Sequence, residues 1–188
     1  MNALPQPVPE MMTAEEFLAW AEEHEVRAEL AGGRVIAMAP ERYIHARTKG
    51  LVFRALDDAI RAAGLACEAL VDGMAVRVDA GTVYEPDAMV RCGAPLPPDL
   101  LVAPDPLILV EVVSPSSSRI DSTEKLGDYF RLPSVRHYLV VVTKARLVVH
   151  HSRGAAGGIA TRLLSQGELI LDPPGLTLPV ADFFPAAE

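Results

Sequence analysis

Lysine is scarce in this 188-residue chain: it occurs only at Lys49, Lys125 and Lys144. Basic residues number 17 against 25 acidic ones, for a formal charge of −8. That leaves no broad basic footprint of the sort that holds duplex nucleic acid by phosphate neutralisation. Only Arg42, Arg47, Lys49 and Arg54 form a modest cluster. Cysteine is almost absent. Cys67 and Cys92 are too few for a disulfide framework or a four-thiolate zinc site, so reduced thiols are expected. No apolar run is long enough to span a bilayer, and even residues 107–113 are interrupted by Glu111. The start holds Pro5, Pro7 and Pro9 without a basic segment followed by an apolar stretch. An extended lead-in over residues 1–12 and a soluble, cytoplasmic protein are the expectations.

Half of the chain is apolar, enough for one well-buried core, and residues 13–188 read as a single domain. Thr13-Ala14-Glu15-Glu16 is a capping box opening a first helix. Residues 26–30 and 34–38 flank Gly32-Gly33 as a hairpin. Apolar residues then recur at helical spacing over 42–63, and Gly64 supplies the stop. Strands are expected at 66–71, 74–78 and 83–91, followed by a proline-rich loop over 94–106. The run 107–113 has the continuous apolar character of a central strand covered on both faces. Asp121 is positioned to cap a short helix reaching about Arg131, with Glu124 as its capping-box partner. Two further strands follow at 137–142 and 146–151. The pattern is α/β with a mixed sheet and one long early helix.

Glu111 is the most informative residue. A carboxylate inside Leu-Ile-Leu-Val-Glu-Val-Val requires a cation, hydrogen bonds or a proton, because burying it unpaired costs several kcal/mol. It either turns to solvent, pairs with an arginine, or joins other acids around a metal. Asp87, 24 residues earlier and just after Pro86, can sit on a neighbouring strand. Two such carboxylates with a backbone carbonyl and waters suit Mg²⁺. Lys125 offers a compact charge near by, or else an ordinary helix pair with Asp121 or Asp128. His45 and Lys49, four apart, share a helix face suited to a phosphate contact. Glu29 is free to pair with Arg27 or Arg34. His150 and His151 point to opposite faces of a strand and cannot chelate one metal together.

Pro86-Asp87 followed by Glu111 in a buried strand resembles the Pro-Asp…(Asp/Glu)-x-Lys nuclease superfamily. Finer features resemble its Uma2 branch. These are Thr13-Ala14-Glu15-Glu16-Phe17, Glu29-Leu30-Ala31-Gly32-Gly33, Met38-Ala39-Pro40 and His45, then Tyr84-Glu85-Pro86-Asp87, Glu111-Val112-Val113-Ser114-Pro115-Ser116 and Asp121…Glu124-Lys125-Leu126…Tyr129. The resemblance implies a restriction-endonuclease-like domain and Mg²⁺- or Mn²⁺-dependent hydrolysis of DNA. Asp87, Glu111 and the Val112 carbonyl would hold the metal. Lys125 would replace the lysine that the simplest pattern puts at position 113, which here is Val113. Glu29 would add a carboxylate, and His45 and Lys49 would contact substrate. A non-catalytic nucleic-acid or protein binding module and a hydrolase of smaller substrates stay open. A homodimer is the ordinary expectation for such a fold.

Overall fold

The computed structural model describes residues 8–113, 119–154 and 157–186, and the backbone alone at 119–122. The start of the expected lead-in (1–7) and residues 114–118 lie outside the described residues. So does the side chain of Asp121.

The elements arise where local chemistry directs them. Helix α1 (Ala14–His24) starts at the capping box, with the Glu16 carboxylate accepting the Thr13 N–H at 2.8 Å. Its Phe17 and Trp20 are buried. Strands β1 (Ala28–Ala31) and β2 (Arg34–Ala37) are joined through Gly32 and Gly33, at φ 55° and 81°. A two-residue turn with both residues in the left-handed region matches the strand twist and favours glycine. Helix α2 (Tyr43–Ala63) buries Leu51, Val52, Leu56 and Ile60 along one stripe and stops at left-handed Gly64.

The principal sheet contains β3 (Cys67–Val71), β6 (Ala88–Cys92), β7 (Ile108–Val113), β8 (His137–Val142), β9 (Leu147–Arg153) and β10 (Ile159–Leu164), in the order β10-β9-β8-β7-β6-β3; β4 (Val76–Asp79) and β5 (Thr82–Tyr84) join β1 and β2 in a smaller sheet, ordered β2-β1-β5-β4. All named strand pairs are antiparallel except β7 and β8, which are parallel and connected through α3 (Arg119–Tyr129). A parallel pair needs such a crossover, and its position fixes where α3 lies. The hairpin of β11 (Glu168–Leu171) and β12 (Leu176–Pro179) leads into a closing 3-10 turn, Val180–Phe183.

Side chains alternate along β7, and this alternation organises the core. Ile108, Val110 and Val112 pack on the α2 side with Leu56, Leu171 and Phe183. Leu109 packs on the opposite side with Met89, Tyr129 and Tyr138. Glu111 shares that second side, so period two aims it at α3.

Three sequence expectations change. Residues 83–91 form two strands, because Pro86 has no N–H for a ladder and the chain passes between sheets at Glu85-Pro86-Asp87. Helix α3 begins at Arg119, so Asp121 lies inside it and does not cap it. Cys67 and Cys92, expected reduced, form a disulfide, because the β3–β6 register sets them directly opposite.

His150 is buried against His137, with His137 Nδ1 and His150 Nε2 2.9 Å apart. His137 Nε2 lies 3.0 Å from the Pro173 carbonyl, which can only accept. His137 therefore donates there through Nε2–H, and its Nδ1 accepts from His150 Nε2–H. The remaining atom, His150 Nδ1, is a buried acceptor with no hydrogen-bond partner among the described residues. Burial, followed by the neighbouring His137, pushes His150 down to about 4. A depressed histidine adds stability above the unfolded pKa of 6.5 and loses it as pH falls toward 4, by at most about 3 kcal/mol. His150→Gln, which keeps a donor, is expected to flatten the loss of urea resistance between pH 7 and pH 5. Equal pH slopes for the variant and the parent protein would refute this.

Candidate active site

Asp87 reaches the site because the β6–β7 ladder stops at Ala88 opposite Val110. One residue further, the Asp87 carboxylate takes the place of a backbone rung and accepts the Val112 N–H at 2.6 Å. Lys49, from α2, lies 2.6 Å from the other Asp87 oxygen. His45 stands one turn before Lys49; its Nε2 donates to the Val112 carbonyl and lies 3.7 Å from Asp87. Burial works to raise the Asp87 pKa, but His45, Lys49 and the Val112 amide outweigh it and hold the group below the usual carboxylate range. The neighbouring Asp87 carboxylate raises His45 against the opposing effect of burial.

Glu111 sits across from this cluster in a different environment. Its Oε1 accepts from the Tyr129 hydroxyl at 2.7 Å and from Lys125 at 3.1 Å. Burial pushes it up to about 7; Lys125 opposes the shift, whereas Asp87 and Glu29 add to it. Glu29, from β1, accepts from Lys125 at 2.8 Å and from the Glu85 N–H at 2.9 Å. Lys125 is only 4% exposed and its ammonium also lies 5.0 Å from the Tyr84 ring centre. One lysine thus bridges two carboxylates, and a second lysine holds Asp87. The pair of acids differs in proton affinity because their partners differ.

Glu29, Glu41, His45, Asp87, Glu111 and Lys125 line one cleft of about 370 Å³. The structure therefore brings together Asp87, Glu111, Val112, Glu29, His45 and Lys125. Lys49 belongs to the same cluster but is turned inward, against Asp87 and Glu41, and does not line the cleft. Lys49, expected to contact phosphate, is 4% exposed and its ammonium lies against Asp87 and Glu41. Lys125 reaches across to Glu29 on β1 and Glu111 on β7. Arg27 leaves Glu29 free by pairing with Asp72 and Glu85. Sequence reasoning assigned no role to Tyr129 or Glu41. Tyr129 is one helical turn after Lys125, so helix spacing was the available signal there; Glu41 precedes α2 and carried no such signal.

Among the described residues, no three His, Cys, Asp or Glu side chains form a group able to hold a metal. The candidate donor set is smaller: Asp87, Glu111 and the Val112 carbonyl. Two carboxylates with a carbonyl are sufficient for Mg²⁺, which retains several waters. By donor chemistry these three would suit such an ion, and all of them line the same cleft. Asp87 and Glu29 both raise the pKa of Glu111, a mutual repulsion that a divalent cation would relieve.

A crystal structure of a protein from Anabaena variabilis, described as "a putative nuclease belonging to DUF820", shares this fold at a TM-score of 0.72. The two are 16% identical, and the match covers 92% of this chain and 97% of that one. No curated protein matches the chain. A family profile described as "Putative restriction endonuclease" matches residues 14–181, which is most of the chain and includes every residue of the cluster. The chain belongs to the Uma2 family.

Proposed function

We propose that this protein is an endonuclease that hydrolyses phosphodiester bonds in DNA with Mg²⁺ or Mn²⁺ held by Asp87, Glu111 and the Val112 carbonyl. The observation that carries the reading is the convergence of Asp87, one residue before β6, and Glu111, within the adjacent β7, on one cleft, with Lys125 delivered beside Glu111 from α3. Val113 stands where the simplest nuclease pattern has its lysine, and α3 supplies the amine instead.

A divalent cation held there supplies Lewis acidity toward phosphate and lowers the pKa of water. The protein's own groups do the rest. Lys125, fixed by Glu29, presents a positive charge to the phosphate where negative charge develops. Tyr129 and Lys125 orient the Glu111 carboxylate, while Lys49 and the Val112 amide orient Asp87. His45 lies on the Asp87 side of the cleft, where its imidazole can meet a substrate oxygen.

Supercoiled plasmid incubated with Mn²⁺ tests the reading. Nicking is expected with the parent protein, absent with EDTA, and reduced at least 100-fold by Asp87→Ala. Equal nicking by the Asp87→Ala variant would defeat it. One observation favours a non-catalytic binding module: Lys49 and Lys125 already neutralise the acids that a metal would need. Binding of DNA without any metal dependence would support that module.

A further inference from the structure

We infer that the site takes an unpaired DNA strand, with one nucleotide seated against an apolar lip, and discriminates against intact duplex. This rests on the nuclease reading above and specifies its substrate.

The end of β2, the following loop and the first turn of α2 form one continuous segment along the cleft. Ile36, Met38, Pro40 and Ile44 from this segment line the same cavity as Asp87 and Glu111. Ile36 pairs with Glu29 in the β1–β2 register and is 51% exposed, and Ile44 is 41% exposed. Tyr43, in the same turn as Ile44, is 81% exposed. Large apolar side chains left in water beside a carboxylate cluster call for an apolar ligand surface.

The outside of a duplex is a poor match, because its phosphates would meet the isoleucines. An unpaired nucleotide offers both surfaces required. Its base can pack on Ile36 or Ile44, while its phosphate reaches the floor of the cleft where Lys125 stands. A cleft of about 370 Å³ is on the scale of one small ligand.

The cleft is lined by Glu29, Glu41, Glu85, Asp87 and Glu111 against Arg42, His45 and Lys125, and the whole chain carries −8. Few phosphates are neutralised by such a surface. Affinity must then come from stacking, with a shallow dependence on salt.

The test uses one labelled sequence as single strand, as duplex, and as a hairpin with an unpaired loop. Fluorescence anisotropy reads binding without requiring turnover. Single strand is expected to bind at least tenfold more tightly than duplex, with a log–log salt slope no steeper than about −2. In Mn²⁺, cuts should fall within the hairpin loop. Ile36→Ser and Ile44→Ser, which remove apolar surface without adding charge beside Glu29, should each weaken single-strand binding about tenfold while leaving Mn²⁺ binding unchanged. Duplex bound as tightly as single strand, or isoleucine variants that bind normally, would overturn the inference and leave the nuclease reading intact. Failure to bind or cut any of the three DNAs, despite bound Mn²⁺, would overturn both.

Discussion

Glu111→Gln lowers cleavage by roughly 10³-fold, more than the 10–100-fold typical of groups that only support a metal ligand, and leaves the protein folded. Glutamine preserves the shape and can still accept from Tyr129 and Lys125, but it has no charge to offer a cation. Its effect on stability has the opposite sign. Because burial pushes Glu111 up to about 7 from 4.5, ionising it costs stability as pH rises through that window. The melting temperature of the glutamine variant should therefore gain on the parent protein between pH 5 and pH 8, by the equivalent of at most about 3 kcal/mol. Differential scanning calorimetry at these pH values checks this. A gap that is constant with pH would mean that Glu111 ionises normally. The folded protein then carries a carboxylate at a cost to its own stability, as sites organised for chemistry often do.

Lys125→Met has the largest expected effect on stability. The ammonium is shared by Glu29 and Glu111, both buried, and its loss leaves two acids without their cation. Removing one partner of a buried ion pair costs about 3–5 kcal/mol. Protonation of the orphaned carboxylates relieves that cost, so the loss should be larger at pH 8 than at pH 5. Urea denaturation at the two pH values reads it directly. A cost below about 1 kcal/mol at both, the range of an exposed pair, would mean that Lys125 is solvated. Activity should fall as well, but the pH dependence of stability separates the buried bridge from a role in catalysis alone.

The sequence carried most of the architecture in punctuation and periodicity. Gly32-Gly33, Gly64 and the capping box at Thr13 mark element ends through local backbone chemistry, which folding does not override. Glu111 stood out because its six neighbours on β7 and beside it are apolar, so its charge demanded a partner. Which partner was not legible. Lys125 lies 96 residues from Glu29, and nothing local distinguishes that bridge from a pair with Asp128. Lys49 is a similar case: helix spacing gave its face, while the depth of that face depends on how α2 packs against β3, β6 and β7. The strand break at Pro86 had a visible cause, yet apolar residues on both sides concealed it. Cys67 and Cys92 become neighbours only through the β3–β6 register, a tertiary fact that their count cannot express.

The central claim is that Asp87 and Glu111 together form a divalent-cation site, and isothermal titration of Mn²⁺ tests it without knowledge of the substrate. The parent protein should bind one equivalent, more weakly below pH 7 as Glu111 takes up its proton, and neither Asp87→Ala nor Glu111→Ala should bind. Unchanged binding in both variants would contradict the account and put the metal elsewhere.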